Sequence, residues 1–340
     1  MIYGHGDDLY RYGNKIKMNF SSNVYNRADL TALKINLAMK LDVISSYPEP
    51  EAVSLERMIA EERGITENRV LVTAGVTEAI YLIAQLYQGY SSVIPQPTFG
   101  EYADACRIYN HVISYYNNDE MEYLPEERVY WFCNPNNPTG NVILKELMNS
   151  VIRHHQQYIF VLDQSYEDYT LKEMINPAEM TDCHNLIVMY SLSKKYCIPG
   201  LRLGYITASP IIIDRLRQLR KPWAVNALAI EAGKFLISNH VKCIPDLKAY
   251  LDEAQRLQQE LNNIDGIMMM DSQSNFMLGN IECSTTLELK NWLIDHYGIL
   301  IRDASNFYGL DNHCFRVSTL KREENNVLIA AIKDFIACRQ

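Results

Sequence analysis

The residues best placed for covalent chemistry lie in the run Tyr190-Ser191-Leu192-Ser193-Lys194-Lys195-Tyr196-Cys197-Ile198-Pro199-Gly200-Leu201-Arg202-Leu203-Gly204-Tyr205. Lys194 stands among hydroxyl-bearing neighbours, with an arginine eight residues on. An amine captures an aldehyde as a Schiff base only in its neutral form and only from a fixed position. Ser191, Ser193 and Arg202 suit a phosphate tethered to that aldehyde, because a guanidinium offers a planar fork of donors to phosphate oxygens. The same window also suits a surface loop with two adjacent lysines, so residues elsewhere in the chain must decide.

In open α/β sheets, ligands bind beyond the carboxyl ends of the strands, so functional residues should follow apolar runs directly. After Val70 to Thr73 comes Ala74-Gly75-Val76-Thr77-Glu78, a glycine turn opening a helix whose free N–H groups and dipole favour phosphate. Thr77 also suits a plain helix N-cap. Asp163 ends the run Ile159 to Leu162, and Tyr166 follows three residues later. A carboxylate beside a pyridine nitrogen keeps it protonated, and a phenol can donate to a ring oxygen. Asn134-Pro135-Asn136-Asn137-Pro138-Thr139-Gly140 follows Val129 to Phe132, with a composition suited to a turn.

These segments resemble class I/II pyridoxal-phosphate aminotransferases. The resemblance implies that pyridoxal phosphate is the cofactor, that Lys194 holds it covalently, and that Arg202, Ser191, Ser193 and the Gly75-Val76-Thr77 turn hold its phosphate. Asn137 matches the family asparagine that bonds the ring oxygen beside Tyr166, and Asp163 the ring-nitrogen partner. Pro97-Thr98-Phe99-Gly100-Glu101-Tyr102 resembles the segment supplying a stacking aromatic, here Phe99, which also suits a buried core ring. Tyr47-Pro48-Glu49-Pro50 resembles the segment whose tyrosine reaches the neighbouring subunit's cofactor phosphate, which implies a homodimer with shared sites. Phe315-Arg316-Val317 resembles the segment with the arginine that clamps the substrate carboxylate.

Within the family, the ends of the chain resemble the branch handling small phosphorylated amino acids, the histidinol-phosphate aminotransferases and threonine-phosphate decarboxylases. Gly4-His5-Gly6, Asn19-Phe20-Ser21-Ser22-Asn23, Pro222-Trp223-Ala224-Val225-Asn226-Ala227-Leu228 and Ile301-Arg302-Asp303-Ala304-Ser305-Asn306-Phe307-Tyr308-Gly309-Leu310 look more like the decarboxylases. That resemblance puts His5, Asn23 and Arg302 with Arg316 at the substrate. It favours decarboxylation over amino-group transfer to 2-oxoglutarate. The chain departs from the decarboxylases at Val24-Tyr25-Asn26-Arg27, where an N-P-L-G turn is usual, and at Leu320, where a basic residue is common. How the distal end of the substrate is held stays open.

The elements that must position these residues read as an α/β protein. At 340 residues the chain can bury a large core, and 48% hydrophobic with 21% charged residues excludes disorder. A net charge of −9 without a dense basic stripe argues against nucleic acid. Eight scattered cysteines include no C-x-x-C pair, which supports neither zinc nor a disulfide framework. No signal peptide or membrane span is legible, so a soluble, cytoplasmic protein with a small-molecule substrate is expected.

Runs at Val70–Thr73, Ser92–Ile94, Val129–Phe132, Ile159–Leu162 and Leu186–Met189 are continuously apolar, which suits strands buried on both faces of a mainly parallel sheet. After Pro222, helices at 227–238 and 244–261 precede strands at 267–270 and 276–278, then a helix at 285–296, strands at 299–302 and 315–318, and a closing helix at 322–337. This order reads as a smaller α+β lobe. With the family resemblance, it implies fold type I: an N-terminal arm over 1–45 belonging to the small domain and the lid, a large cofactor-binding domain over 46–225, and a small C-terminal domain over 226–340.

Overall fold

The computed structural model describes residues 7–117 and 128–339. Seven strands, β2 (Val70–Thr73), β3 (Ser91–Gln96), β4 (Val112–Asn117), β5 (Val129–Cys133), β6 (Ile159–Asp163), β7 (Leu186–Tyr190) and β8 (Gly204–Ala208), form one sheet in the order β2-β8-β7-β6-β5-β3-β4. Every neighbouring pair is parallel except those of β8, which runs antiparallel to both β2 and β7. All five residues of β5, β7 and β8 are buried. Successive side chains of a strand point to opposite faces, so a strand covered on both sides is apolar throughout.

Those alternating side chains feed two cores. Tyr130 and Phe132 of β5 join one cluster, where α2 (Val53–Arg63), α5 (Lys145–His154) and α8 (Ala227–Ser238) bury Leu55, Ile152 and Leu236. Val129 and Trp131 join the other, under α3 (Val76–Leu86), α4 (Glu101–Ile108) and α7 (Pro210–Leu219), through Ile80, Tyr102 and Ile213. α2 stops at Gly64, whose φ of +66° continues the chain in the left-handed region that glycine tolerates.

A four-stranded antiparallel sheet of β9 (Ile267–Met269), β10 (Phe276–Ile281), β12 (Arg302–Asp303) and β13 (Cys314–Ser318) has the order β12-β13-β10-β9. It shares a third core with α9 (Leu247–Asn262), α10 (Thr286–Tyr297) and α11 (Arg322–Ala337). β1 (Met18–Asn19) pairs in parallel with β11 (Ile299–Leu300), and Phe20 is fully buried in this third core. The chain then crosses to the large sheet, where Tyr25 and Leu33 of α1 (Thr31–Met39) enter the first core. The short α6 (Leu192–Lys195) lies between β7 and β8. Among the described residues, no helix is long and apolar enough to cross a membrane.

Candidate active site

At the carboxyl ends of β5, β6 and β7 a cavity of about 220 Å³ opens toward β13 and the N-terminal segment. From the large sheet its wall carries Val76, Thr77, Phe99, Asn137, Asp163, Tyr166, Ser191, Ser193, Lys194 and Arg202. Asn23 and Arg316 close it from the other side.

Asp163 is the last residue of β6 and is 3% exposed. Its Oδ2 accepts from the Tyr102 hydroxyl at 2.7 Å and its Oδ1 from the Ser165 backbone N–H at 2.9 Å. Burial pushes this carboxyl above the usual carboxylate range, opposed by the Ser165 side chain, the Tyr102 hydroxyl, the Ser165 N–H and the positive charge of Lys194.

Lys194 sits in the single turn of α6, whose N-cap Ser191 accepts from the Lys194 N–H at 3.3 Å. Its Nζ lies 5.7 Å from the centre of the Tyr166 ring, and its carbonyl accepts from the Tyr169 hydroxyl at 2.9 Å. Lys195 turns the other way and pairs with Glu62 at 3.2 Å. Geometry therefore separates two lysines that adjoin in sequence. Ser193 uses its hydroxyl locally, donating to the Leu203 carbonyl at 3.1 Å and accepting from the Leu203 N–H at 3.0 Å.

Arg202 adopts a left-handed backbone with φ +55° and donates to the Pro199 carbonyl at 3.1 Å. Its guanidinium lies across the start of α3. A Cβ on Gly75 would stand 2.7 Å from Arg202 Nη2, and Gly75 itself has φ +82°. Glycine here permits both the turn and the approach. The first N–H groups of α3 and an arginine fork thus converge as an anion cradle.

On the opposite wall, Arg316 of β13 is 5% exposed and, among the described residues, forms no ion pair, although the Asp7 carboxylate in the same wall acts on it through space. It donates through Nη1 to Asn137 Oδ1 and through Nη2 to the Ser21 carbonyl at 2.7 Å, while its Nε has no partner. Burial pushes its pKa down to about 10. Asn23 donates to the Tyr166 hydroxyl at 3.3 Å and leaves its own buried Oδ1 unpartnered.

Arg302 stands directly opposite Arg316 in the β12–β13 register, so the two side chains share one face. It is buried, bonds Asn306 Oδ1 at 2.7 Å and lies outside the cavity wall, and burial lowers its pKa. Tyr47 is 84% exposed, leans on Trp223 with ring centres 5.1 Å apart and is absent from this chain's cavity wall. His5 lies outside the described residues.

Tyr102 and Asp7 are among the wall residues that sequence reasoning did not assign to the site. Tyr102 was within reach of it, being one helical turn after Phe99. Asp7, which accepts from Asn19 Nδ2 at 2.6 Å, sits in a segment without a pattern of its own. Among the described residues, no group of three or more His, Cys, Asp or Glu is placed to hold a metal ion.

A mixed sheet with one reversed strand, a lysine beyond it and an anion cradle on the first long crossover helix are the features of fold-type-I pyridoxal-phosphate enzymes. The chain belongs to the aminotransferase class I and II family, whose model matches residues 15–332. This family is pyridoxal-phosphate-dependent. The chain is 38% identical to L-threonine-O-3-phosphate decarboxylase from Porphyromonas gingivalis, with a TM-score of 0.92 over 94% of this chain and 99% of that one. It is 31% identical to a protein of Caldanaerobacter subterraneus subsp. tengcongensis provisionally named threonine-phosphate decarboxylase, over 87% of this chain and 84% of that one. It is 29% identical to histidinol-phosphate aminotransferase of Thermoanaerobacter sp. strain X514, over 96% and 93%.

Proposed function

We propose that this chain binds pyridoxal phosphate and, as a cytoplasmic homodimer, decarboxylates O-phospho-L-threonine. The observation that carries the reading is Arg316, a buried guanidinium whose Nε has no partner and which, among the described residues, forms no ion pair, directly opposite a second buried arginine, Arg302. A buried charge is normally paired, so such a site is matched to an incoming anion. A substrate with a carboxylate at one end and a phosphate at the other suits two arginines side by side. The likeness to the P. gingivalis decarboxylase favours this reaction over histidinol-phosphate-type amino transfer, which stands as the second reading because relatives of that name match almost as well.

The residues fit the cofactor. The α3 N-terminus with Arg202 suits its phosphate, Asp163 its ring nitrogen, Tyr166 and Asn137 its ring oxygen, and Phe99 its ring face. When bound, pyridoxal phosphate supplies an aldehyde that links to amines and a ring that takes up electrons released at Cα. Asp163 holds the proton on the ring nitrogen. Arg316 grips the substrate carboxylate and Arg302 the phosphate, which turns the carboxylate bond into the orientation that breaks. Lys194 then delivers a proton to Cα as carbon dioxide leaves.

Tyr47 serves the neighbouring subunit's cofactor phosphate. Supporting this, it is exposed and off its own chain's cavity wall, and it follows Ile35, Met39, Leu41 and Ile44, all exposed. Such an apolar strip suits a second copy of the chain.

The test is to incubate the enzyme with O-phospho-L-threonine and no 2-oxo acid. Many turnovers of carbon dioxide, with aminopropanol phosphate as product, are expected. If cycling instead requires histidinol phosphate with 2-oxoglutarate, the aminotransferase reading replaces this one.

A further inference from the structure

Asp163 is almost fully buried, yet a carboxylate that is to hold a ring nitrogen's proton must itself stay ionised and point into the cavity. The groups around it decide whether it does. The Cys133 thiol faces it from the neighbouring position on β5, Lys194 from α6 and Tyr102 from α4. Cys133 donates instead to the Pro135 carbonyl at 3.2 Å. Tyr102 donates a hydrogen bond to the carboxylate at 2.7 Å, and from the loop after β6 the side chain of Ser165 favours its charged form as well.

Packing leaves the Tyr102 ring little freedom. Fully buried in the first turn of α4, it stacks on Trp131 of β5 with ring centres 5.5 Å apart and planes 22° apart. Phe99 abuts it edge-on at 5.7 Å. A hydroxyl on a ring held this way has a fixed aim, which is Asp163 Oδ2, while Ser165 N–H holds Oδ1. Two donors on two different oxygens fix the plane of a carboxylate and leave its remaining lone pairs toward the cavity.

We propose that Tyr102 is a positioning residue for the reaction, holding Asp163 ionised and aimed at the cofactor's ring nitrogen. This rests on the reading of the cavity as a pyridoxal-phosphate site, and its first test does not need the cofactor. Tyr102→Phe keeps both ring contacts and deletes only the donor. In the cofactor-free protein, the Asp163 carboxyl followed by carbon-13 NMR should titrate at a pH higher by about one unit or more, because a hydrogen bond to the charged form is lost. An unmoved titration in a variant whose melting curve matches wild type would overturn the proposal.

With cofactor bound, kcat should fall about tenfold or more while KM changes less than about twofold, and the acid limb of the kcat profile should move to higher pH. The double variant Tyr102→Phe/Asp163→Asn should be no slower than Asp163→Asn alone, since Tyr102 acts through that carboxylate. Independent, multiplying losses would also overturn it. If the wild-type protein takes up no pyridoxal phosphate, the cofactor reading fails, and the carboxyl titration still reports whether Tyr102 governs Asp163.

Discussion

Replacing Arg316 with methionine separates a residue kept for a ligand from one kept for the fold. Burial lowers the pKa of this guanidinium from its ordinary value by between two and three units, to about 10. At about 1.4 kcal/mol per pH unit, the protein carries roughly 3 kcal/mol of net penalty, burial and the neighbouring Arg302 charge outweighing the pull of Asp7, at every pH where the group is charged. Methionine relieves that cost and loses two hydrogen bonds from a charged donor, to Asn137 and the Ser21 carbonyl, worth about 1.5–3 kcal/mol each. The opposing terms leave a net destabilisation of about 0–3 kcal/mol in urea unfolding. Substrate binding has no such offset. Removing one partner of a buried charge pair costs about 2–5 kcal/mol, or roughly 30-fold to several-thousand-fold in kcat/KM for O-phospho-L-threonine. Aminopropanol phosphate, which has lost the carboxylate, supplies the control. Its affinity should barely change in Arg316→Met, measured by competition against the substrate in wild type and by calorimetry in the variant. Equal losses for the two ligands would refute the assignment of Arg316 to the carboxylate, as would an unchanged kcat/KM.

Gly75→Ala should cost about 1–3 kcal/mol of stability, because φ +82° with ψ 169° is essentially a glycine conformation, and should weaken pyridoxal-phosphate binding by displacing Arg202; unchanged absorbance titrations would remove Gly75 from the cradle. Asp163→Asn should cut turnover about 10²-fold or more and yet raise the melting temperature of the cofactor-free protein at neutral pH. The folded pKa of Asp163 lies above its unfolded value, so the ionised carboxyl destabilises the fold above that folded pKa, and the penalty shrinks as pH falls through it and is gone below the unfolded value. The advantage of asparagine should therefore disappear in acid, and a pH-independent difference would contradict a buried charge as its origin. Mixing inactive Tyr47→Phe with inactive Lys194→Ala subunits should recover activity, since one site of the mixed dimer carries both residues; no recovery after proven subunit exchange would mean that Tyr47 does not act across the interface.

The strands that carry the site were legible because burial on both faces demands unbroken apolar runs, and β2, β5, β6 and β7 supply them. The return strand β8 was not. It follows Arg202 by one residue, and nothing in Gly204-Tyr205-Ile206-Thr207-Ala208 distinguishes a reversed strand from a parallel one. β4 escaped as well, because Val112-Ile113-Ser114-Tyr115-Tyr116 mixes exposed and buried positions at the edge of the sheet.

The same division runs through the site. Asp163 and Lys194 could be read from the chain because the ends of buried strands fall where the apolar runs stop. Tyr102 could not be joined to Asp163 that way, since 61 residues separate them and only the seating of α4 against β5 and β6 brings the hydroxyl to the carboxylate. Nor does spacing tell that Arg302 stands opposite Arg316, because that follows from the register of β12 on β13. Motifs of this kind mark the groups that would touch the cofactor. The partners that set the charge state and aim of those groups arrive from distant elements, and their identity is fixed by packing rather than by spacing. In the mechanism proposed above, the choice between losing carbon dioxide and moving an amino group belongs to this second kind, because there it turns on how two neighbouring arginines orient one substrate.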